Sequence, residues 1–208
     1  MKPIVTDKRV VVVGLGKTGL SCVRYLSQSG CQIVVMDSRE VPPNLAELKN
    51  EFPKVITCFG QFDQTILSHA DEIILSPGVA LLTKEIQVAI NDGVRVRGDV
   101  DLFAEVAKAP IVAITGSNGK STVTTLVGDM AVAAGLNVGV GGNLGTPALE
   151  LLSEDKQLYI LELSSFQLET TESLNAECAV LLNISEDHMD RYSSKLAYLQ
   201  AKQKVFRG

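Results

Sequence analysis

Residues 110–122 have the composition and order of a loop that binds phosphate. An apolar run leads into a turn bracketed by Gly116 and Gly119, and Lys-Ser-Thr follows the second glycine. Glycines let backbone N–H groups converge on an anion, and a helix that begins near Lys120 adds the positive end of its dipole. In such a loop Lys120 neutralises the β- and γ-phosphate oxygens, and the hydroxyl of Ser121 binds a magnesium ion. The segment therefore predicts a site for a phosphate chain with magnesium.

The spacing of this loop departs from the usual nucleotide-binding pattern, which reads G-x-x-x-x-G-K-[ST]. The position of the first glycine in that pattern is occupied by Ile114. We interpret the loop as a shortened variant. The alternative is a glycine-rich turn with an incidental lysine, but the order of strand, loop and helix favours phosphate binding.

A second glycine-rich loop, Gly-Leu-Gly-Lys-Thr-Gly at residues 14–19, follows the first predicted strand and opens a helix. Asp37 closes the next strand, 18 residues after Gly19. This matches the dinucleotide fingerprint, in which glycines admit a pyrophosphate and the acidic residue holds a ribose or a base. Taken alone, the pattern indicates an NAD-dependent oxidoreductase. The same geometry accepts any nucleotide diphosphate, so both interpretations stay open.

Two neighbouring segments could complete this first site. Asp-Ser-Arg at residues 37–39 could bind a nucleoside or cap a turn. Ser-Pro-Gly at residues 76–78 follows the fourth predicted strand, where parallel sheets place ligand loops, and could equally be a simple turn.

Polar residues with metal-binding chemistry follow the strands of the second half. Glu162 ends an apolar strand 42 residues beyond Lys120 and could hold the same magnesium ion as the loop hydroxyl, or be a solvated strand end. Residues 186–190 contain Glu, Asp, His and Asp, a density that suggests a metal or phosphate site around His188. Asn143, in a glycine-rich stretch, could reach a ligand across open backbone. Lys202 lies on a helix whose exposed lysines would usually indicate only solubility.

Short apolar segments alternate with helical patterns along the whole chain. In the first half we predict strands at residues 9–13, 31–36, 55–58, 72–75 and 94–96, and helices at 18–28, 44–50 and 83–91. In the second half we predict strands at 111–115, 136–140, 158–162 and 178–182, and helices at 119–134 and toward the end. The pattern predicts two successive α/β domains with parallel sheets, at residues 1–97 and 98–208, with a short helix over 97–109 at their junction.

Composition limits the possible classes of protein. Of the 208 residues, 46% are hydrophobic and 21% charged, as in soluble globular proteins. The net charge of −5 argues against a nucleic-acid-binding surface. The four cysteines lack C-x-x-C spacing and are expected to be buried free thiols. No apolar run approaches the roughly 18 residues of a membrane span, and no signal peptide is evident, so we expect a cytoplasmic protein without a membrane partner.

Four motifs, taken together and in this order, closely resemble the Mur ligases of peptidoglycan synthesis. They are the loop at residues 116–122, Gly-Gly-Asn at 141–143, Glu-Leu-Ser-Ser-Phe-Gln-Leu-Glu at 162–169, and Asp-His-Met-Asp-Arg at 187–191. The resemblance covers nearly the whole chain. It implies an N-terminal Rossmann-like domain that binds the UDP moiety of a muramoyl substrate. A truncated P-loop ATPase-type α/β domain that binds ATP is implied to follow.

The resemblance also implies roles for individual residues. The uridine diphosphate would be bound by Lys17, Thr18, Asp37, Ser38, Arg39, Ser76 and Gly78, and Asn143 and His188 would reach the same substrate. ATP would be held by Gly116, Ser117, Asn118, Gly119, Lys120, Ser121 and Thr122. One magnesium ion would be bound by Ser121 and Glu162, and a second by His188 and Lys202. Lys202 is carbamylated in this family, which turns a cation into an anionic oxygen ligand. Lys120, His188 and Lys202 are the predicted catalytic residues.

The reaction implied is the ATP-dependent addition of D-glutamate to UDP-N-acetylmuramoyl-L-alanine through an acyl phosphate. Such phosphoryl transfer needs positioning and charge neutralisation rather than a protein nucleophile. Mur ligases continue into a third domain that binds the amino acid, and these 208 residues lack it, so we expect the chain to be inactive alone. Two alternatives stay open. One is a nucleotide-binding module without catalysis, and the other is an NAD-dependent oxidoreductase, which would leave Lys120 and Glu162 unexplained.

Overall fold

A computed structural model describes residues 7–207 of the chain. The chain divides into two compact units, with the boundary between Asp99 and Val100. Each unit is built around its own parallel β-sheet. Within residues 7–207, none of the helices combines the length and the apolar character needed to cross a membrane.

Where the structure describes it, from residue 7 onward, the first unit contains five strands and four helices. In chain order they are β1 (Arg9–Val13), α1 (Lys17–Ser27), β2 (Gln32–Asp37), α2 (Leu45–Glu51), β3 (Ile56–Phe59), α3 (Gln64–Ser68), β4 (Glu72–Leu75), α4 (Lys84–Asn91) and β5 (Arg95–Arg97). The strands are arranged β3-β2-β1-β4-β5, and every neighbouring pair is parallel. The central strands read as near-continuous apolar runs because both faces of a parallel sheet are covered. Val11, Val13 and Met36 pack in one core with Leu67 of α3 and Ile86 of α4.

The second unit repeats this architecture on a smaller sheet. Its elements are α5 (Asp99–Val106), β6 (Ile111–Thr115), α6 (Lys120–Ala133), β7 (Val138–Gly142), a 3₁₀ turn (Ala148–Leu151), β8 (Leu158–Glu162), α7 (Ser165–Glu169), β9 (Cys178–Leu181), α8 (Lys195–Gln203) and a second 3₁₀ turn (Lys204–Phe206). The strand order is β7-β8-β6-β9, again all parallel. Ile114 and Ile160 form the core beneath Ala131 of α6. The carboxyl ends of β6, β8 and β9 therefore meet at one edge of the sheet.

The α/β class with two parallel sheets is confirmed, and the differences from the sequence prediction are local. Two single-turn helices, α3 and α7, were not predicted because five residues are too few to show a helical period. Strand β7 begins at Val138, two residues later than predicted, because Gly135 adopts φ +85° and turns the chain after α6. The four cysteines are free, as expected. Their predicted burial holds for Cys22 but is wrong for Cys178, which is exposed on the edge strand β9.

Candidate nucleotide and magnesium sites

The phosphate loop leaves β6 at Thr115 and enters α6 at Lys120. Both of its glycines have backbone angles that favour glycine: φ is +153° at Gly116 and +81° at Gly119. At Gly116 a Cβ would also lie 3.1 Å from Cβ of Leu182, whereas the space beside Gly119 is open. Ile114, the departure from the usual pattern, is the buried penultimate residue of β6. The loop is short because β6 continues to Thr115 and so includes position 114, where the usual pattern has its first glycine.

The side chain of Lys120 folds back along the loop. Its Nζ donates a hydrogen bond of 2.9 Å to the carbonyl oxygen of Ser117, and the residue is half-buried. The first turn of α6 supplies N–H groups that no helical carbonyl can reach. An ammonium group next to such N–H groups is the electrostatic arrangement that phosphate binding requires.

Glu162 is the centre of a cluster of hydrogen-bonded polar side chains beside this loop. Its carboxylate, only 2% exposed, accepts a hydrogen bond of 2.7 Å from Oγ of Ser121 at one oxygen. The other oxygen accepts one of 2.7 Å from Nδ2 of Asn143. The chain passes this close because residue 142 is glycine: φ is +98°, and a Cβ there would lie 2.5 Å from the carbonyl oxygen of Glu162. A buried carboxylate next to a hydroxyl supplies oxygen ligands of the kind that magnesium binds, whereas Asn143 donates a hydrogen bond to the carboxylate.

Lys202 is not the exposed lysine that the helical pattern of α8 suggested. Its side chain is 1% exposed, and Nζ donates hydrogen bonds to the carbonyl oxygen of Gly116 at 2.9 Å and to Oγ1 of Thr115 at 3.4 Å. Burial, and to a lesser extent the positive charge of Lys120, lower the pKa of the Lys202 amine to about 8, although Asp187 and Glu162 act against both. A fraction of this amine is therefore neutral, and nucleophilic, near neutral pH.

His188 lies on an aromatic cluster that also touches Lys202. Its ring centroid is 4.7 Å from that of Phe166 and 6.2 Å from that of Tyr198, and Nζ of Lys202 lies 4.8 Å from the centre of the Tyr198 ring. The backbone of His188 is left-handed, with φ +54°, and its N–H donates to the Asp187 carboxylate at 2.9 Å. Among residues 7–207 no group of three or more His, Cys, Asp or Glu side chains is placed to hold a metal ion. The acidic density at 186–190 is therefore not a metal cluster by itself.

In the first unit the glycine loop packs closely against Ser76, which follows β4, and against Gly19 in the first turn of α1. Gly14 has φ +92°, and its carbonyl oxygen accepts a hydrogen bond of 2.8 Å from Oγ of Ser76. A Cβ at Gly19 would collide with that same carbonyl oxygen, whereas a Cβ at Gly16 would meet nothing. Close packing therefore requires glycine at positions 14 and 19. At position 16 no neighbouring atom among the described residues would prevent a larger side chain.

Asp37 holds this loop in place. Its buried carboxylate accepts hydrogen bonds from the N–H of Leu15 at 2.8 Å and from the guanidinium of Arg39 at 2.6 Å and 2.8 Å. Burial alone would raise the pKa of the Asp37 carboxyl, but the hydrogen bonds from Arg39 and Leu15 outweigh it and lower that pKa. Of the other predicted contacts, Lys17, Ser38 and Gly78 are exposed at the carboxyl ends of neighbouring strands or just beyond them, and Thr18, in the first turn of α1, is half-buried.

Models of two Mur ligase domains match this chain in succession. The model described as "Mur ligase MurD-like, N-terminal domain" matches residues 8–98, and that of the Mur ligase middle domain matches residues 114–208. The chain belongs to the Mur ligase family.

Individual Mur ligases agree with this assignment. The UDP-N-acetylmuramoylalanine–D-glutamate ligases of Marinobacter nauticus and Pseudomonas savastanoi pv. phaseolicola are each 60% identical over all 208 residues, which cover 47% and 46% of those proteins. The chain thus spans about half the length of the relatives it matches. A crystal structure of the UDP-N-acetylmuramate:L-alanyl-gamma-D-glutamyl-meso-diaminopimelate ligase from Neisseria meningitides superposes with a TM-score of 0.59 at 18% identity, covering 96% of this chain and 68% of that one. That similarity supports the fold.

Sequence reasoning missed several residues that shape the second site of this Mur ligase chain. Asn183, Ser185 and Tyr198 all hydrogen-bond to the phosphate loop or to its side chains. Asn183 and Ser185 follow β9, and β9 pairs directly with β6, which carries the loop. The signal available in the sequence was their position just after a predicted strand, since polar residues at the carboxyl ends of parallel strands converge.

Proposed function

We propose that this chain carries the UDP-substrate and ATP-phosphate sites of a ligase in peptidoglycan synthesis, one that adds D-glutamate to UDP-N-acetylmuramoyl-L-alanine. The observation that carries the proposal is the cluster of Ser121, Glu162 and Asn143 beside the glycine-bracketed loop. A carboxylate held against the loop hydroxyl is what a magnesium-dependent phosphoryl transfer needs, and a dehydrogenase has no use for it. The names of the 60% identical relatives supply the substrate and the amino acid.

In this proposal residues 1–97 bind the UDP moiety of the acceptor. The contacts are Lys17, Thr18, Asp37, Ser38, Arg39, Ser76 and Gly78. The exposed ammonium of Lys17 and the guanidinium of Arg39 supply charge for a diphosphate. Asp37 and Ser76 act chiefly by holding the glycine loop in place, since their polar atoms already bond to it. Asn143 and His188 remain predicted contacts of the acceptor.

Residues 98–208 bind the phosphates of ATP. The loop from Gly116 to Thr122 surrounds them, and Lys120 turns from the carbonyl of Ser117 to the phosphate oxygens. Ser121 and Glu162 hold one magnesium ion, which supplies neutralisation of the phosphate charge when bound. His188 and Lys202 hold the second. As an ammonium, Lys202 cannot ligate a cation, so this assignment requires its carbamylation, for which the pKa of about 8 provides a reactive neutral amine.

The proposed chemistry activates a carboxylate. ATP phosphorylates the free carboxyl of the L-alanyl group, and the amino group of D-glutamate then attacks the acyl phosphate and displaces inorganic phosphate. Within this chain the contribution is positional and electrostatic: Lys120 neutralises charge on the transferred group, and the loop aligns it for in-line attack. That the chain alone does not form the amide stays a prediction, checked by a ligation assay with D-glutamate.

Titration calorimetry tests the binding proposal. UDP-N-acetylmuramoyl-L-alanine and Mg-ATP are each titrated into the wild-type chain, into Lys120→Ala and into the control Lys195→Ala, which removes an exposed lysine of α8. We expect Lys120→Ala to weaken Mg-ATP binding about a hundredfold, as for a charge-assisted bond, and to leave the UDP compound unaffected. An equal loss of Mg-ATP affinity in Lys120→Ala and Lys195→Ala would contradict the assigned role of Lys120. Binding of NADH that UDP cannot displace would favour the oxidoreductase instead.

A further inference from the structure

The segment that follows β9 lies against the phosphate loop. Leu181, the last residue of β9, is in register with Thr115, the last residue of β6. Residues 183–185 therefore run beside residues 116–118 as both chains leave the sheet. Leu182 and Asn183 are the closest neighbours of the position that a Cβ would take at Gly116. This proximity is a consequence of the parallel pairing of the two strands.

Asn183 makes three hydrogen bonds to the loop. Its Oδ1 accepts from the N–H of Asn118 at 3.0 Å, and its Nδ2 donates to the carbonyl oxygen of Asn118 at 2.9 Å. Its own carbonyl oxygen accepts from the N–H of Ser117 at 3.0 Å. One amide side chain thus pairs with both polar groups of a single loop residue, as a neighbouring strand would.

Ser185 extends this pairing by one step. Its N–H donates to Oγ of Ser117 at 3.0 Å, and its Oγ accepts from Nδ2 of Asn118 at 3.0 Å. Oγ of Ser117 is in turn 3.1 Å from the hydroxyl of Tyr198. The side chains at 117 and 118 are therefore both held from the same segment, which we call the 183–185 clasp.

We propose that Asn183 is a positioning residue for the phosphate loop, acting through Asn118 and Ser117 without touching the ligand. The N–H groups of residues 117 and 118 are already engaged by Asn183, so the groups that receive phosphate are those of residues 119–122 at the start of α6. A loop between two glycines has many conformations, and fixing one of them before the ligand arrives lowers the entropic cost of binding. The inference rests on the proposed phosphate-binding function of this loop.

The clasp itself is tested without a ligand, by amide hydrogen exchange in the wild-type chain, Asn183→Ala and Asn183→Asp. In Asn183→Ala the Asn118 amide loses its acceptor, and we expect it to exchange about tenfold faster. The Ser117 amide, bonded to the backbone carbonyl of residue 183, keeps its protection. Asn183→Asp retains the acceptor and restores protection at Asn118. Unchanged exchange at Asn118 in Asn183→Ala would overturn the proposal.

The consequence for binding is tested with inorganic tripolyphosphate and magnesium, which probe the loop without the rest of a nucleotide. We expect Asn183→Ala to bind tripolyphosphate about tenfold more weakly than wild type. The control variant is Glu186→Ala, in the same segment, and its melting temperature is the reference for that of Asn183→Ala. Faster exchange at Asn118 combined with wild-type affinity would also overturn the positioning role. If Asn183→Ala shows fast exchange throughout β6 and β8, the variant is unfolded. Amide exchange and tripolyphosphate binding are then measured on Asn183→Ser instead.

The two proposals fail in different ways. If the wild-type chain binds neither tripolyphosphate nor Mg-ATP, the proposed function of the loop is wrong, and with it the positioning role of Asn183. If wild type binds both and Asn183→Ala binds them equally well, only the positioning role is wrong.

Discussion

Oγ of Ser121, on the first turn of α6, donates a hydrogen bond of 2.7 Å to the carboxylate of Glu162 at the end of β8. The two residues are 41 positions apart, and the sheet brings them together because Ile114 of β6 is in register with Glu162. The loop that follows β6 must therefore begin beside that carboxylate. A hydroxyl and a buried carboxylate at the mouth of a phosphate loop make this pair the best candidate for a magnesium ligand set within residues 7–207.

Glu162→Gln tests this ligand set. The amide keeps the size of the side chain and can still accept from Ser121, but it has no negative charge to bind a cation. We expect ATP affinity in the presence of magnesium to fall ten- to a hundredfold, in line with roughly 1.5–3 kcal/mol for a charge-assisted contact. The variant should bind ATP equally well with magnesium and with a chelator, as measured by calorimetry. The exposed Glu177→Gln serves as control, and a persistent magnesium dependence in Glu162→Gln would exclude Glu162 as a ligand.

The stability of the chain should depend on pH through Lys202. Its pKa of about 8 in the folded chain lies below the value of about 10.4 for an unfolded lysine. Between these values the unfolded state binds more protons, so the free energy of unfolding rises with pH. Below about pH 8 both states are charged, and the cost of burying the ammonium is fully present. Relative to Lys202→Met, wild type should gain up to about 3 kcal/mol between about pH 7.5 and pH 10.5.

Urea denaturation followed by circular dichroism measures this gain. The buffers are kept free of carbon dioxide, because a carbamate on Lys202 would no longer titrate as an amine. Lys195→Met removes an exposed lysine of the same helix and provides the matched control. A constant difference between wild type and Lys202→Met across this pH range would show that the amine does not titrate on unfolding.

The fold, and the meeting of Ser121 with Glu162 in the candidate site, were predictable from local patterns. Apolar runs, glycine turns and the alternation of strands with helices specified two parallel sheets, because buried parallel strands carry that signal residue by residue. The Ser121–Glu162 pair followed from the same logic, since ligand residues gather where parallel strands end.

The environment of individual side chains was not predictable. Lys202 sits on α8 among other polar residues, and its burial depends on packing against Thr115 and Gly116, which are far away in the sequence. Asn183 has no chemistry that marks it as functional. Its position just after a predicted strand was a signal, but its contacts with the phosphate loop depend on the pairing of β9 with β6, which no local pattern reveals. Long-range contacts of this kind are set by the tertiary structure alone.

The glycines at 16 and 19 offer a matched pair within one motif. At Gly19 a Cβ would collide with the carbonyl oxygen of Gly14, and at Gly16 it would meet nothing. We expect Gly19→Ala to lower the free energy of unfolding by roughly 2–3 kcal/mol, because α1 must move away from β1. Gly16→Ala should lower the free energy of unfolding by less than about 1 kcal/mol, because alanine is a poorer N-cap residue for α1 than glycine. Urea denaturation measures both, and equal effects would mean that the close crossing at Gly19 does not limit stability.

Asp37→Asn tests whether the carboxylate holds the first glycine loop. Asn cannot form the ion pair with Arg39, and it replaces one of the two acceptor oxygens by an NH2 donor. Either the bonds that Arg39 donates to Oδ1 or those that Leu15 and Arg39 donate to Oδ2 are therefore lost. We expect the free energy of unfolding at neutral pH to fall by roughly 1–3 kcal/mol. Because the hydrogen bonds lower the pKa of Asp37 in the folded chain, its contribution is complete above about pH 4, the unfolded value, and is lost as the pH falls through the lower folded value. The difference between wild type and Asp37→Asn should therefore shrink between neutral pH and about pH 3 in urea titrations. An undiminished difference in acid would mean that the shape of the side chain, rather than its charge, holds the loop.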